Sequence, residues 1–186
     1  MATKVKAITY EESLTTPEVT YEEIVNGEVR TMPPPRLKHQ RLIHRLAVAL
    51  DRQLDPGTVE ILQNYGQAIR KRPAFTYRIP DFAVFLRATM VRQDEYYVWS
   101  PPELLVEVIS RSYRRKDLEE LLVDYEAIAL AELWVLDMDE RAVRRFRLQD
   151  ARLREIASIL RGAVAPLRFP NVTVDVDKLW RTLDEG

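Results

Sequence analysis

The run LLVEVIS, Leu104 to Ser110, places one carboxylate among residues that suit a buried β-strand. Side chains alternate along an extended chain, so Leu105, Glu107 and Ile109 share one face while Leu104, Val106, Val108 and Ser110 share the other. Glu107 therefore projects from an apolar surface, where a lone charge is costly unless it is neutralised, paired or coordinated. Upstream, RIPDFAVFL repeats the pattern, with Asp81 opening the apolar run. Two acids on adjacent strands could share one divalent cation, and an all-oxygen ligand set suits Mg2+ or Mn2+. The alternative is an ion pair with an arginine such as Arg78 or Arg111. The residues alone leave both open.

Composition removes several other chemistries. The 186 residues include no cysteine, which excludes disulfides, thiolate metal sites and thiol nucleophiles. The two histidines, His39 and His44, are too few for a multi-histidine zinc centre. No apolar run approaches the roughly 18–20 residues of a membrane span, and MATKVKAITYEE lacks the apolar core of a signal peptide, so a soluble, cytoplasmic protein is expected. The net charge of −1 is unevenly spread: residues 29–116 carry 16 Lys and Arg against eight Asp and Glu, between two acidic ends. A basic middle of that kind can supply the electrostatic footprint for a phosphate backbone, although a solvated surface of mixed sign has the same composition.

These residues need elements to position them. Thr9 and Glu12 predict a capped short helix in ITYEESLTTPE. Asn26-Gly27 predicts a hairpin turn, and Pro33 to Pro35 a rigid connector. From Leu37 the apolar spacing predicts a helix, stopped by Asp55-Pro56-Gly57. Strand-like pieces follow in TVEILQNYG, QAIRK and YRIPDFAVFL, then in PPELLVEVIS. A helix is predicted from Tyr113 to Ala129, with Leu118, Leu121, Leu122, Tyr125 and Ile128 on one face. AELWVLDM, AVRRFRLQ and ARLREIASIL read as strands, and VDVDKLWRTL as a closing helix. The expectation is a mixed α/β (α+β) fold with a helix between two central strands. It is read as a single domain over 1–186, with 1–35 forming an N-terminal helix and hairpin packed upon it.

Taken in order, YEEIVNGEV, MPPP, HQRLIHRL, IPDFAVF, PPELLVEVIS, KDLEELLVDYEAIALAELWVLD and PLRFPNVTVDVDKLW resemble the Uma-two family of restriction endonucleases, from about Ile8 to Trp180. The resemblance implies the restriction-endonuclease-like, PD-(D/E)xK fold, a mixed central sheet flanked by helices. It implies that Asp81 and Glu107 bind Mg2+ (or Mn2+), that Glu23 is a third acid of the site, and that His39 opens the long helix with a catalytic role. Its substrate would be DNA, with Arg111, Arg114, Arg115 and Lys116 as phosphate contacts directly after the Glu107 strand. A basic helix start opposes the helix dipole and so calls for an anionic partner. A homodimer is also expected.

The sequence departs from the family in one respect. The lysine position two residues after the acid falls on Ile109. The alternative family lysine, in a D-x-x-x-K-x-x-x-Y helix pattern, is Leu121 here, between Asp117 and Tyr125. Lys116 and Arg115 lie about a turn upstream of Leu121 and Arg114 about two turns, and none has the family's spacing. Three readings follow: a metal-dependent endonuclease, a catalytically degenerate member that binds nucleic acid or protein, and an interaction protein whose acids are ion-paired.

Overall fold

The structure, a computed structural model, describes residues 7–14, 22–92, 94–110, 115–181 and 183–184, with the backbone alone at 115 and 116. The capped helix is α1 (Tyr10–Ser13), where the Thr9 side chain accepts from the Glu12 N–H and the Glu12 carboxylate accepts from the Thr9 N–H. The predicted hairpin is β1 (Glu22–Val25) and β2 (Glu28–Thr31), joined by Asn26 and Gly27 at φ 54° and 81°. Both residues occupy the left-handed region that a two-residue hairpin turn requires. The proline connector leads into α2 (Leu37–Asp51), which buries Leu42, Ile43, Leu46, Ala47 and Leu50 along one stripe.

The strands β3 (Val59–Leu62), β4 (Gly66–Arg70), β5 (Thr76–Arg78), β6 (Phe82–Leu86), β7 (Tyr97–Val98) and β8 (Leu104–Ile109) follow. YRIPDFAVFL, read from sequence as one extended piece, is split between two sheets. Pro80 offers no N–H to a ladder, and the pairing breaks across Ile79-Pro80-Asp81. On one side, β5 joins the five-stranded sheet β2-β1-β5-β4-β7; on the other, β6 joins the six-stranded sheet that holds Glu107. This break puts Asp81 at the seam between sheets.

Helix α3 (Arg115–Ala127) then connects β8 to its parallel neighbour β9 (Glu132–Asp137), the crossover that parallel pairing demands. It ends near the expected residue, with Ala129 at φ 56° and the Leu130 N–H donating to the Tyr125 carbonyl. The chain continues through β10 (Ala142–Gln149), β11 (Arg152–Ile159), β12 (Ala163–Val164), β13 (Val174–Asp175) and α4 (Val176–Arg181). ARLREIASIL forms the expected strand, β11, antiparallel to β10. The large sheet runs β11-β10-β9-β8-β6-β3. Among the described residues no helix is long and apolar enough to cross a membrane.

Alternation along β8 gives the large sheet two apolar faces. Leu104 and Val106 pack with Leu42, Leu46 and Leu50 of α2 and with Trp180 of α4. Leu105 and Ile109 pack with Leu118, Leu121 and Tyr125 of α3. Each such buried aliphatic side chain contributes about 1.5–3 kcal/mol. Glu107 belongs to the second face, under α3.

Candidate functional site

Phe82 pairs with Val106 in the antiparallel β6–β8 ladder, so Asp81 stands beside Glu107, one step beyond the last pair. The Asp81 carboxylate is fixed at both oxygens. Oδ2 accepts the Val108 N–H at 2.8 Å, and Oδ1 lies 2.7 Å from Nε2 of His39. His39 sits in the first turn of α2, so the helix that covers one face of the sheet also orients the acid at its seam. Both side chains remain partly open, at 19% for His39 and 14% for Asp81.

Glu107 is held differently. The Tyr125 hydroxyl, two turns along α3 from Asp117, donates to Oε1. Burial pushes the Glu107 carboxyl well above the usual carboxylate range, and the neighbouring Asp81 charge raises it further; the Tyr125 hydrogen bond opposes both. Burial also raises the hydroxyls of Tyr125 and Tyr65 well above the tyrosine range, and in each the charge on Glu107 adds to the effect. Both phenols therefore stay neutral, and Tyr65 donates to Gln67 at 2.9 Å.

A second layer surrounds these acids. Arg78, at the end of β5 and only 7% exposed, binds three carboxylates from two elements. Its Nη1 lies 2.8 Å from Glu23 of β1, its Nε 2.7 Å from Asp124 of α3, and its Nη2 2.9 Å from Glu120 of α3. Desolvation works against the Arg78 charge, but Glu23 and Asp124 outweigh it and hold the guanidinium above its ordinary value. Arg30 of β2 closes the chain with a 2.6 Å contact to Glu120. The other oxygen of Glu23 accepts the Ile79 N–H at 3.0 Å. Glu23 is thus spoken for at both oxygens, by Arg78 and by the backbone that leads to Asp81.

Among the described residues, five carboxylates (Glu23, Asp81, Glu107, Glu120 and Asp124) share this region with two guanidiniums and one imidazole. The guanidiniums contact the outer acids, and among the described residues no cation touches Glu107. No group of three or more His, Asp or Glu converges as a ready metal cage among those residues. The donor set that remains, two hard carboxylates side by side, fits Mg2+, which keeps most of its shell as water and takes one or two carboxylates.

Both lysine positions lie inside the apolar layer. Ile109 is 8% exposed and Leu121 is 4% exposed, in one cluster with Leu105, Leu118 and Tyr125. Arg111 and Arg114 lie outside the described residues; Arg115 and Lys116 open α3, with only their backbone described. Sequence reasoning did not assign Tyr125 to Glu107 or Asp124 to Arg78. The first had a signal, since Tyr125 ends the Asp117-Leu121-Tyr125 pattern along one helix face; the second had none beyond the position of Arg78 three residues before Asp81.

These features define a mixed-sheet fold with two acids at the break between sheets. The solved structures include one of that shape, described as the "crystal structure of a putative nuclease belonging to DUF820 from Anabaena variabilis ATCC 29413". It superposes with a TM-score of 0.76 at 17% sequence identity, covering 95% of this chain and 99% of the other. The family model Uma2, described as "Putative restriction endonuclease", matches residues 9–177, and the chain belongs to that family. No curated protein sequence matches it.

Proposed function

We propose that this protein is a Mg2+-dependent (or Mn2+-dependent) endonuclease acting on the phosphodiester backbone of DNA, with Asp81 and Glu107 as the metal ligands. One observation carries the reading: Glu107 stands on an apolar strand face beside a second carboxylate, Asp81, and is touched by no cation among the described residues. Asp81 and Glu107 would hold the divalent ion, which would supply positive charge at the scissile phosphate and make water a better nucleophile. The chain's own residues do the rest. His39 and the Val108 N–H hold Asp81 in one orientation, and Tyr125 holds Glu107. The family assignment supports a nuclease. Arg111 and Arg114, which follow the Glu107 strand in sequence, and Arg115 and Lys116, which open α3, are proposed to grip phosphate. The same proposal includes a cytoplasmic location and a homodimer; sedimentation showing only monomer at micromolar concentration would remove the dimer.

A second reading is favoured by Leu121 and Ile109. With apolar side chains packed at both lysine positions, the site holds metal and nucleic acid or protein without cutting. Calorimetric Mn2+ binding tests the metal site in both readings, and plasmid nicking separates them. Binding with nicking supports the endonuclease; binding without nicking supports the module; absence of binding defeats both.

A further inference from the structure

We propose that Arg78 is the positioning residue of this site, a clasp that sets Asp81 and Glu107 at a fixed mutual distance, and that Glu23 serves the clasp rather than touching the metal. The role given to the two acids rests on the functional reading above; the clasp itself rests on geometry.

Arg78 lies three residues before Asp81, and the residues between them are Ile79 and Pro80. Glu23 binds the guanidinium with Oε2 and the Ile79 N–H with Oε1, so one carboxylate pins two consecutive residues of the segment that presents Asp81. Proline then restricts the one residue left, through its fixed φ and its constraint on Ile79. On its other side Arg78 binds Asp124, the immediate neighbour of Tyr125, whose hydroxyl holds Glu107. Glu120, one turn earlier on α3, gives the guanidinium a second grip on the same helix.

Both acids are therefore referred to one planar group. The route to Asp81 runs through β1 and the Ile79-Pro80 backbone, and the route to Glu107 runs through α3 and Tyr125. The geometry requires a fork: Nε and Nη2 face α3 while Nη1 faces β1. A lysine has the charge but a single nitrogen, and cannot bridge both sides with fixed geometry. With the Arg78 and Glu23 side chains only 7% and 8% exposed and paired with each other, this half of the clasp is buried and pre-formed.

The test compares wild type, Arg78→Lys, Glu23→Gln and Asp124→Asn, with folding verified by near-ultraviolet circular dichroism. The first readout needs no metal. The 15N resonances of the His39 ring, assigned with His39→Gln, report its hydrogen bond to Asp81, and Asp81→Asn supplies the released reference. The second is calorimetric Mn2+ affinity.

In folded Arg78→Lys, or in Asp124→Asn if the lysine variant does not fold, the His39 resonances shift toward the released reference. Mn2+ affinity falls roughly 10–100-fold, the usual effect of losing an outer-shell partner. Glu23→Gln weakens Mn2+ binding without abolishing it, and shifts the same resonances. Wild-type resonances in both folded clasp variants would overturn the proposal. So would loss of all Mn2+ binding in Glu23→Gln with His39 unchanged, since Glu23 would then be a ligand. Failure of wild type to bind Mn2+ would remove the metal reading alone, leaving the His39 resonances to decide the clasp.

Discussion

The hydroxyl of Tyr125 donates to Oε1 of Glu107, joining helix α3 to the central strand it follows in sequence. Eighteen residues separate the pair, and the hydrogen bond is what orients an acid that otherwise stands on an apolar face. Tyr125→Phe keeps the ring in its packed position and removes only this donor. Losing a hydrogen bond to the ionised form raises the Glu107 pKa further. The expected result is Mn2+ binding that needs a higher pH than in wild type, with a stability change of about 1–2 kcal/mol. Calorimetry across a pH series, with denaturant unfolding alongside, checks both.

Glu107 also predicts a pH dependence of the metal-free protein. Its folded pKa lies above its unfolded one, near 4.3 in model peptides. Between those two values the folded state binds more protons, so stability is full below the unfolded pKa and is lost as pH rises through the folded pKa. Glu107→Gln removes this loss. Urea unfolding in EDTA should show the variant more stable than wild type at the alkaline end of the range, with the gap closing toward acid pH. A gap that does not change with pH would mean that folding leaves the Glu107 pKa unshifted.

Leu121→Lys places an amine one turn before Tyr125, on the helix face that covers Glu107. Burying that amine costs stability unless it pairs with Glu107, so a fall of about 1–3 kcal/mol is expected. Plasmid nicking in Mg2+ should rise above wild type, and Leu121→Met should not reproduce the gain. Equal nicking by the lysine and methionine variants would show that the amine is not what limits cleavage.

The hairpin that carries Glu23 depends on Gly27. Its φ is 81°, and a Cβ built there would come within 2.5 Å of the Ala7 Cβ. Gly27→Ala should destabilise the protein by about 1–3 kcal/mol, measured by thermal or urea unfolding. A loss below about 0.5 kcal/mol, the ordinary surface range, would contradict this.

Much of the fold was legible because local chemistry and tertiary packing agree. Thr9 and Glu12 cap a helix, Asn26-Gly27 turns a hairpin, and the apolar spacing after Leu37 gives α2. The division of YRIPDFAVFL was not read, although Pro80 carried the signal: a strand cannot keep its ladder through a residue with no N–H. That missed break is also what positions Asp81. At the site, the periodicity of LLVEVIS places Glu107 on the α3 face, as alternation requires. The network around Arg78 joins β1, β5 and α3, elements 55 and 46 residues apart along the chain. Such contacts leave no periodic trace in sequence; they emerge only when the two sheets and the helix meet.

Whether Glu107 and Asp81 bind a divalent ion is decided by calorimetric titration of Mn2+ into wild type and Glu107→Gln. The titration is run as a pH series reaching into the alkaline range, because burial raises the Glu107 pKa and only the deprotonated acid is a ligand. The amide keeps the shape of the side chain and its hydrogen bond from Tyr125 but loses the charge. Saturable binding by wild type and none by the folded variant is expected. Equal binding by the two proteins would show that Glu107 is a structural acid and that the ion, if any, sits elsewhere.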